Sequence, residues 1–179
     1  MDGVLLMNTG KLWNACLMGG EDAPKEVQKL IDEGEDVDEL DGCGRPPLWV
    51  ACRYGDNRVA KVLLDAGATV DWKTKEGGDT PLIRSCGDSW SHTEVVHLLL
   101  ARGVDVNETN KKGWTPLMHA CMARNTGLVK LLLKHGADRN VKVEDEFVKP
   151  GHTAADLANL CAPEGKEIAK LVEPTATGA

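Results

Sequence analysis

Apolar residues in this chain come in short bursts of helical spacing. Val27, Leu30 and Ile31 form one, followed by Val59/Val62/Leu63/Leu64, Val95/Val96/Leu98/Leu99/Leu100 and Leu128/Val129/Leu131/Leu132/Leu133. Apolar positions at i, i+3 and i+4 line one face of a helix. Each burst runs into a glycine, Gly34, Gly67, Gly103 and Gly136, spaced by 33, 36 and 33 residues, and glycine there supplies the left-handed conformation that stops a helix. A second column precedes each burst. Pro47-Leu48-Trp49-Val50-Ala51, Pro81-Leu82-Ile83-Arg84-Ser85 and Pro116-Leu117-Met118-His119-Ala120 put their leucines 34 and then 35 residues apart, and Leu12-Trp13-Asn14-Ala15 lies 36 residues before the first of them. Thr153-Ala154-Ala155-Asp156-Leu157-Ala158 follows about one period later. Thr80-Pro81 and Thr115-Pro116 place a side-chain acceptor at the N-cap and a ring without a donor at the first helical position. Pro46 replaces that threonine in the second unit, which predicts a frayed first helix there. After each stopping glycine come Val37-Asp38, Val70-Asp71, Val106-Asn107 and Arg139-Asn140, where Asp or Asn can set up a turn on its own backbone.

The pattern is therefore helix, short turn, helix, glycine stop and projecting loop, five times over. Such self-similarity predicts an all-α solenoid of stacked helix-turn-helix units with hairpin-like loops. The whole 179-residue chain reads as one domain, with units at about 8–40, 41–73, 74–109, 110–142 and 143–173 and an expected disordered tail at 174–179. The third unit carries two extra residues around Ser89-Trp90, and the fifth an enlarged loop from Glu144 to Lys149 and a break at Pro163. The first and last units, lacking full Thr-Pro signals, read as the polar caps a solenoid needs, and with the starting Met they suggest a complete small protein.

Composition fits a folding chain: 42% hydrophobic and 27% charged residues are ordinary for a globular domain. Aromatics are 4%, so the core must be Leu, Val, Ala and Cys. No apolar run reaches the roughly 18 residues that span a bilayer, and Val4-Leu5-Leu6-Met7 is too short for a signal peptide, which places the chain by expectation in cytosol or nucleus. The net charge of −7 is uneven: residues 1–41 hold eleven acids against Lys11, Lys25 and Lys29, whereas 109–142 hold seven Lys or Arg against Asp138 alone.

Candidate chemistry is sparse. Cys16, Cys52, Cys86 and Cys121 recur at 36, 34 and 35 residues, a small-residue packing column in which thiols stay reduced. Cys161 reads the same way, and Cys43, between Gly42 and Gly44, is the exposed exception and the sole candidate for a reactive thiol. The five histidines show no metal-ligand spacing, and no phosphate-binding glycine loop is present. The expectation is no catalytic residue, no metal and no cofactor.

The combined columns make the chain similar to the ankyrin repeat family over about residues 8–173, with Lys112-Gly113-Trp114-Thr115-Pro116-Leu117 and Leu131-Leu132-Leu133-Lys134-His135-Gly136-Ala137-Asp138 a close match. The family's first-helix histidine is replaced here by Trp13, Trp49, Ile83, Met118 and Asp156. The resemblance implies a non-catalytic protein-binding module, adaptor or scaffold, contacting its partner through loops and the exposed face of the first helices. Carried onto this sequence, those positions include Arg45, Arg53, Tyr54, Lys73, Asp79, Asp88, Lys111, Lys112, Trp114, Met122 and Lys142, with Trp72 and Trp90 as further loop aromatics. Arg, Tyr and Trp are the types that dominate interface energetics. The basic residues predict a partner with an acidic patch, bound by a monomer. Nucleic-acid or anionic-headgroup binding by 109–142 is the alternative, opposed by the overall acidity. In the family loop asparagines can be hydroxylated, and Asn107 resembles such a position.

Overall fold

The computed structural model describes residues 10–87, 92–145, 148, 150–160 and 165–173. Ten helices and no strand occur among them. The first helices of successive units are α1 (Lys11–Met18), α3 (Pro47–Tyr54), α5 (Pro81–Cys86), α7 (Pro116–Met122) and α9 (Ala154–Leu160); the second are α2 (Ala23–Asp32), α4 (Asn57–Asp65), α6 (Thr93–Ala101), α8 (Thr126–Lys134) and α10 (Gly165–Leu171). First helices pack on first helices, α1 on α3, α3 on α5, α5 on α7 and α7 on α9, and the second helices form a parallel row from α2 to α10. The result is a two-layer stack in which each unit touches its neighbours, the arrangement a repeat of amphipathic helix pairs must adopt to bury its apolar faces.

Between the layers lies one continuous core. Leu12, Leu48, Leu82, Leu117 and Leu157 form its first-helix column, each 0–2% exposed. Leu63, Leu99, Leu132 and Ile168 face them from the second helices. Cys16, Cys52, Cys86 and Cys121 are buried free thiols, as a packing column requires. Burial raises the Cys16 and Cys52 thiols to about 12, with Asp56 adding to Cys16 and a hydrogen bond to Ser85 working the other way at Cys52. Cys86 is raised further by burial and by Cys52.

Local signals act where the spacing puts them. The Thr80 and Thr115 hydroxyls accept from the amides of Ile83 and Met118, both at 3.2 Å. Asp56 and Asn125 do the same for α4 and α8, and Thr153 and Asp156 exchange bonds at the start of α9. The frayed helix expected after Pro46 is not found. α3 runs eight residues, longer than α5 or α7. The Trp49 amide donates to the Pro46 carbonyl at 3.0 Å, Pro46 and Pro47 are buried, and Trp49 is pinned by the arginines described below, so packing replaces the missing cap.

The outer end is less polar than a cap should be. Met18 is 84% exposed and lies with Ala15, Ala23 and Leu30 along a groove of about 640 Å³ lined by α1 and α2. The insertion at Ser89-Trp90, Cys161, Pro163 and the tail fall outside the described residues, as does part of the Glu144–Lys149 loop.

Candidate functional site

The loops that project between units each turn on a single polar side chain, in the same way at Asp41 and Asn110 and with one residue more at Thr74. Asp41 Oδ1 accepts from the amides of Cys43 and Arg45, at 2.9 and 2.8 Å. Asn110 Oδ1 accepts from Lys112 and Trp114, both at 3.0 Å. In the loop between them Thr74 Oγ1 takes the amide of Asp79 at 2.9 Å. Each turn then passes through a glycine in the left-handed region, Gly44, Gly78 and Gly113, with φ of 71°, 73° and 75°, which a side chain there would strain. The residue after that glycine is the loop's tip. Arg45, Asp79 and Trp114 therefore occupy equivalent positions in three successive units, and His152 follows Gly151 in the same way.

The tips are tied to one another. The Lys111 amide donates to the Gly77 carbonyl at 2.9 Å, and the Glu144 amide to the Lys112 carbonyl at 3.0 Å. Asn110 Nδ2 donates to Asp79 at 2.8 Å, and Trp114 Nε1 to Asp145 Oδ2 at 3.1 Å.

Two clusters result. The larger, a groove of about 410 Å³, gathers Asp79, Lys112, Trp114 and Met122 of the predicted surface together with His119 and Asp145. The Trp114 and His119 rings meet at 5.2 Å between centroids, tilted by 45°. Trp114 is only half exposed, its ring packed against the core and its N–H spent on the next loop. The smaller, about 160 Å³, gathers Arg45, Arg53 and Tyr54 with Trp13 and Trp49. Tyr54 is 56% exposed and Met122 37%.

Three of the six expected positive charges, Arg45, Lys73 and Lys112, are paired in place. Arg45 holds Asp41 through Nε and Nη2, at 2.8 and 2.6 Å. Lys73 pairs with Glu108, Lys111 donates to the Lys75 carbonyl, and Lys112 sits 3.3 Å from Asp145. Arg53 and Lys142, both exposed, make no ion pair among the described residues. Trp72, read as a loop aromatic, is half-buried against the core. Asp88 and Trp90 lie outside the described residues. Asn107 is engaged on both sides of its amide, accepting from the Asp138 amide at 2.7 Å and donating to the Gly136 carbonyl at 3.2 Å.

Trp13, Trp49, Asn110, His119 and Asp145 were not in the predicted surface. Two tryptophans in one register of adjacent units were the signal for the first pair; for Asn110 it was the matching Asp41, each four residues before its tip. Nothing in the sequence marks Asp145 as the partner of Trp114.

As for chemistry, the high thiol values leave Cys16, Cys52 and Cys86 protonated at neutral pH and poor nucleophiles. Among the described residues no group of three His, Cys, Asp or Glu side chains is placed to hold a metal ion. No helix among them is long and apolar enough to cross a membrane.

The chain is 34% identical over 152 residues to the ankyrin repeat protein YahD of Escherichia coli, matching 82% of this chain and 71% of the relative. An ankyrin repeat protein of fowlpox virus is 30% identical over 139 residues, and a tyrosine-protein kinase of Hydra vulgaris 30% over 143. The chain spans 40% of the viral protein and 18% of the kinase, so the likeness to these two is to part of a longer protein. The family model for ankyrin repeats in three copies matches residues 12–110 and 89–176. With that match over most of its length and a relative 34% identical, the chain, a stack of helix pairs with linked loop tips, belongs to the ankyrin repeat family.

Proposed function

We propose that this protein is a non-catalytic adaptor that grips an acidic stretch of a partner protein across the loop tips and first-helix ends of units two to four. Ankyrin repeats are protein-interaction modules; the particular surface and partner chemistry are the present reading. One observation carries it. The turns at Asp41 and Asn110 are alike and the one at Thr74 is a residue longer, yet each closes through a left-handed glycine while its tip changes from Arg45 to Asp79 to Trp114, so a common framework carries varying chemistry. Tips fixed by backbone bonds lose little freedom on docking, and Tyr54, Met122 and Arg53 stand exposed beside them.

The alternative of nucleic-acid or headgroup binding by residues 109–142 is opposed by the overall net charge of −7, and that favours a protein partner. The unpaired thiols fit a reducing compartment, cytosol or nucleus, and the reading is of a monomer.

Affinity capture from the source cell tests it. Replacing Tyr54 and Trp114 by alanine together should weaken capture at least about thirtyfold, as the loss of a hot spot does, and binding should fall with added salt. An unchanged affinity in a folded double variant would sink the proposal.

A further inference from the structure

Trp49 is ringed by guanidinium groups. Arg45 lies 4.9 Å from its ring centre, Arg53 5.6 Å and Arg84 5.9 Å. Arg45 also covers Trp13 at 5.5 Å, and Arg53 reaches Tyr54 at 5.9 Å. The pocket of about 160 Å³ between α1 and α3 is lined by Trp13, Trp49, Arg45, Arg53 and Tyr54 with Leu17 and Val50.

Its polar balance is one-sided. Trp13 and Trp49 are 4% and 6% exposed, and the indole N–H of each is buried with no acceptor. A buried donor left unmatched is costly. Arg53 brings an exposed guanidinium that rests on aromatic faces and makes no ion pair among the described residues. Asp41, the carboxylate that answers Arg45, is fully used: one oxygen takes two backbone amides and the other the Arg45 fork. Arg45 and Arg53 thus give the pocket positive charge over an apolar floor, and no carboxylate is among its lining residues. The volume is well below the 300–1,000 Å³ typical of sites for whole small ligands, and suits one side chain.

We propose that this pocket is the anchor for a single acidic side chain, Glu or Asp, of the partner protein, its methylenes against the indoles and its carboxylate on Arg53. The assignment rests on the recognition reading above and names the partner group that the first two units select. Carboxylate and guanidinium would pair side-on beside the aromatic platform, the planar fork giving the contact its geometric specificity.

The test uses the ¹⁵N-labelled full chain, with the indole N–H signals of Trp13, Trp49 and Trp114 assigned from Phe substitutions. The probe is an N-acetylated, C-amidated hexaglutamate peptide at low salt, with the hexaglutamine peptide and inorganic phosphate as separate arms. The Trp13 and Trp49 signals should move together and saturate with hexaglutamate, while hexaglutamine and phosphate leave them in place. R53Q should weaken that titration about fivefold, the upper end for one exposed charge pair, and R53K less, with helix content unchanged in both. Movement of Trp114 alone, an equal response to phosphate, or an R53Q titration identical to the parent would each overturn the anchor. Those results leave the recognition reading to the capture experiment, where Trp114 in the other cluster is also read. Failure of capture with an intact hexaglutamate response would overturn the adaptor and keep the pocket.

Discussion

One hydroxyl starts α7. Thr115 is 1% exposed, and its oxygen is the acceptor for the Met118 amide; alanine there leaves that amide unmatched. Thr115→Ala should cost about 1 kcal/mol in denaturant unfolding and Thr115→Ser much less. The buried thiols set a pH limit. Their folded values lie above the ordinary 9.0, at about 12 for Cys16 and Cys52, so below pH 9 both states hold the proton and folding is unaffected. As pH rises from there toward 12 the unfolded chain releases protons the fold retains, and stability falls by up to about 1.4 kcal/mol per pH unit per thiol. Cys52→Ala should flatten that alkaline slope when unfolding is followed from pH 8 to 11. Thr115 and the cysteine column were readable from spacing. The consequence of Pro46 was not, because what steadies α3 is Arg45 stacked on Trp49, a contact between a loop and a helix that periodicity does not describe.

Helices and loops differ in how much of their construction is local. The stop after α4 needs only Gly67, whose φ is +90° and around whose Cβ position nothing lies within 4 Å. Gly67→Ala should therefore cost the conformational penalty alone, about 1 kcal/mol. Gly113 has both burdens, φ of +75° and the Glu144 amide nitrogen 3.0 Å from a Cβ placed there. Gly113→Ala should cost more than Gly67→Ala and should selectively speed amide exchange at Glu144, whose bond to Lys112 it strains. Helix order and stops were legible because capping chemistry is carried by adjacent residues. The ties between loops, such as Trp114 to Asp145 across 31 positions, were not, since they depend on where the stack sets one loop beside another. That is also why Lys73, Lys111 and Lys112, expected on a basic face, bond to neighbouring loops while Lys142 makes no such bond among the described residues.

In a stack each unit is stabilised by the ones beside it, so the middle should outlast the ends. Amide exchange should be slowest in α5, α7 and α8 and fastest in α1, α2 and α10; uniform protection would mean the array folds as a single block. The recognition surface divides along the same axis. The arginine and tryptophan pocket belongs to units one and two, and the Trp114 groove to units three to five. Fold class and repeat number were visible from two columns of residues; this division was not, because it arises from which side chains the superposed units bring side by side. The stitching of one tip to the next has a final consequence. Like keys mounted on a common rail, Asp79, Asn110, Trp114 and Asp145 cannot be pressed one at a time, and a guest wedged against Trp114 would be felt in the loops on either side.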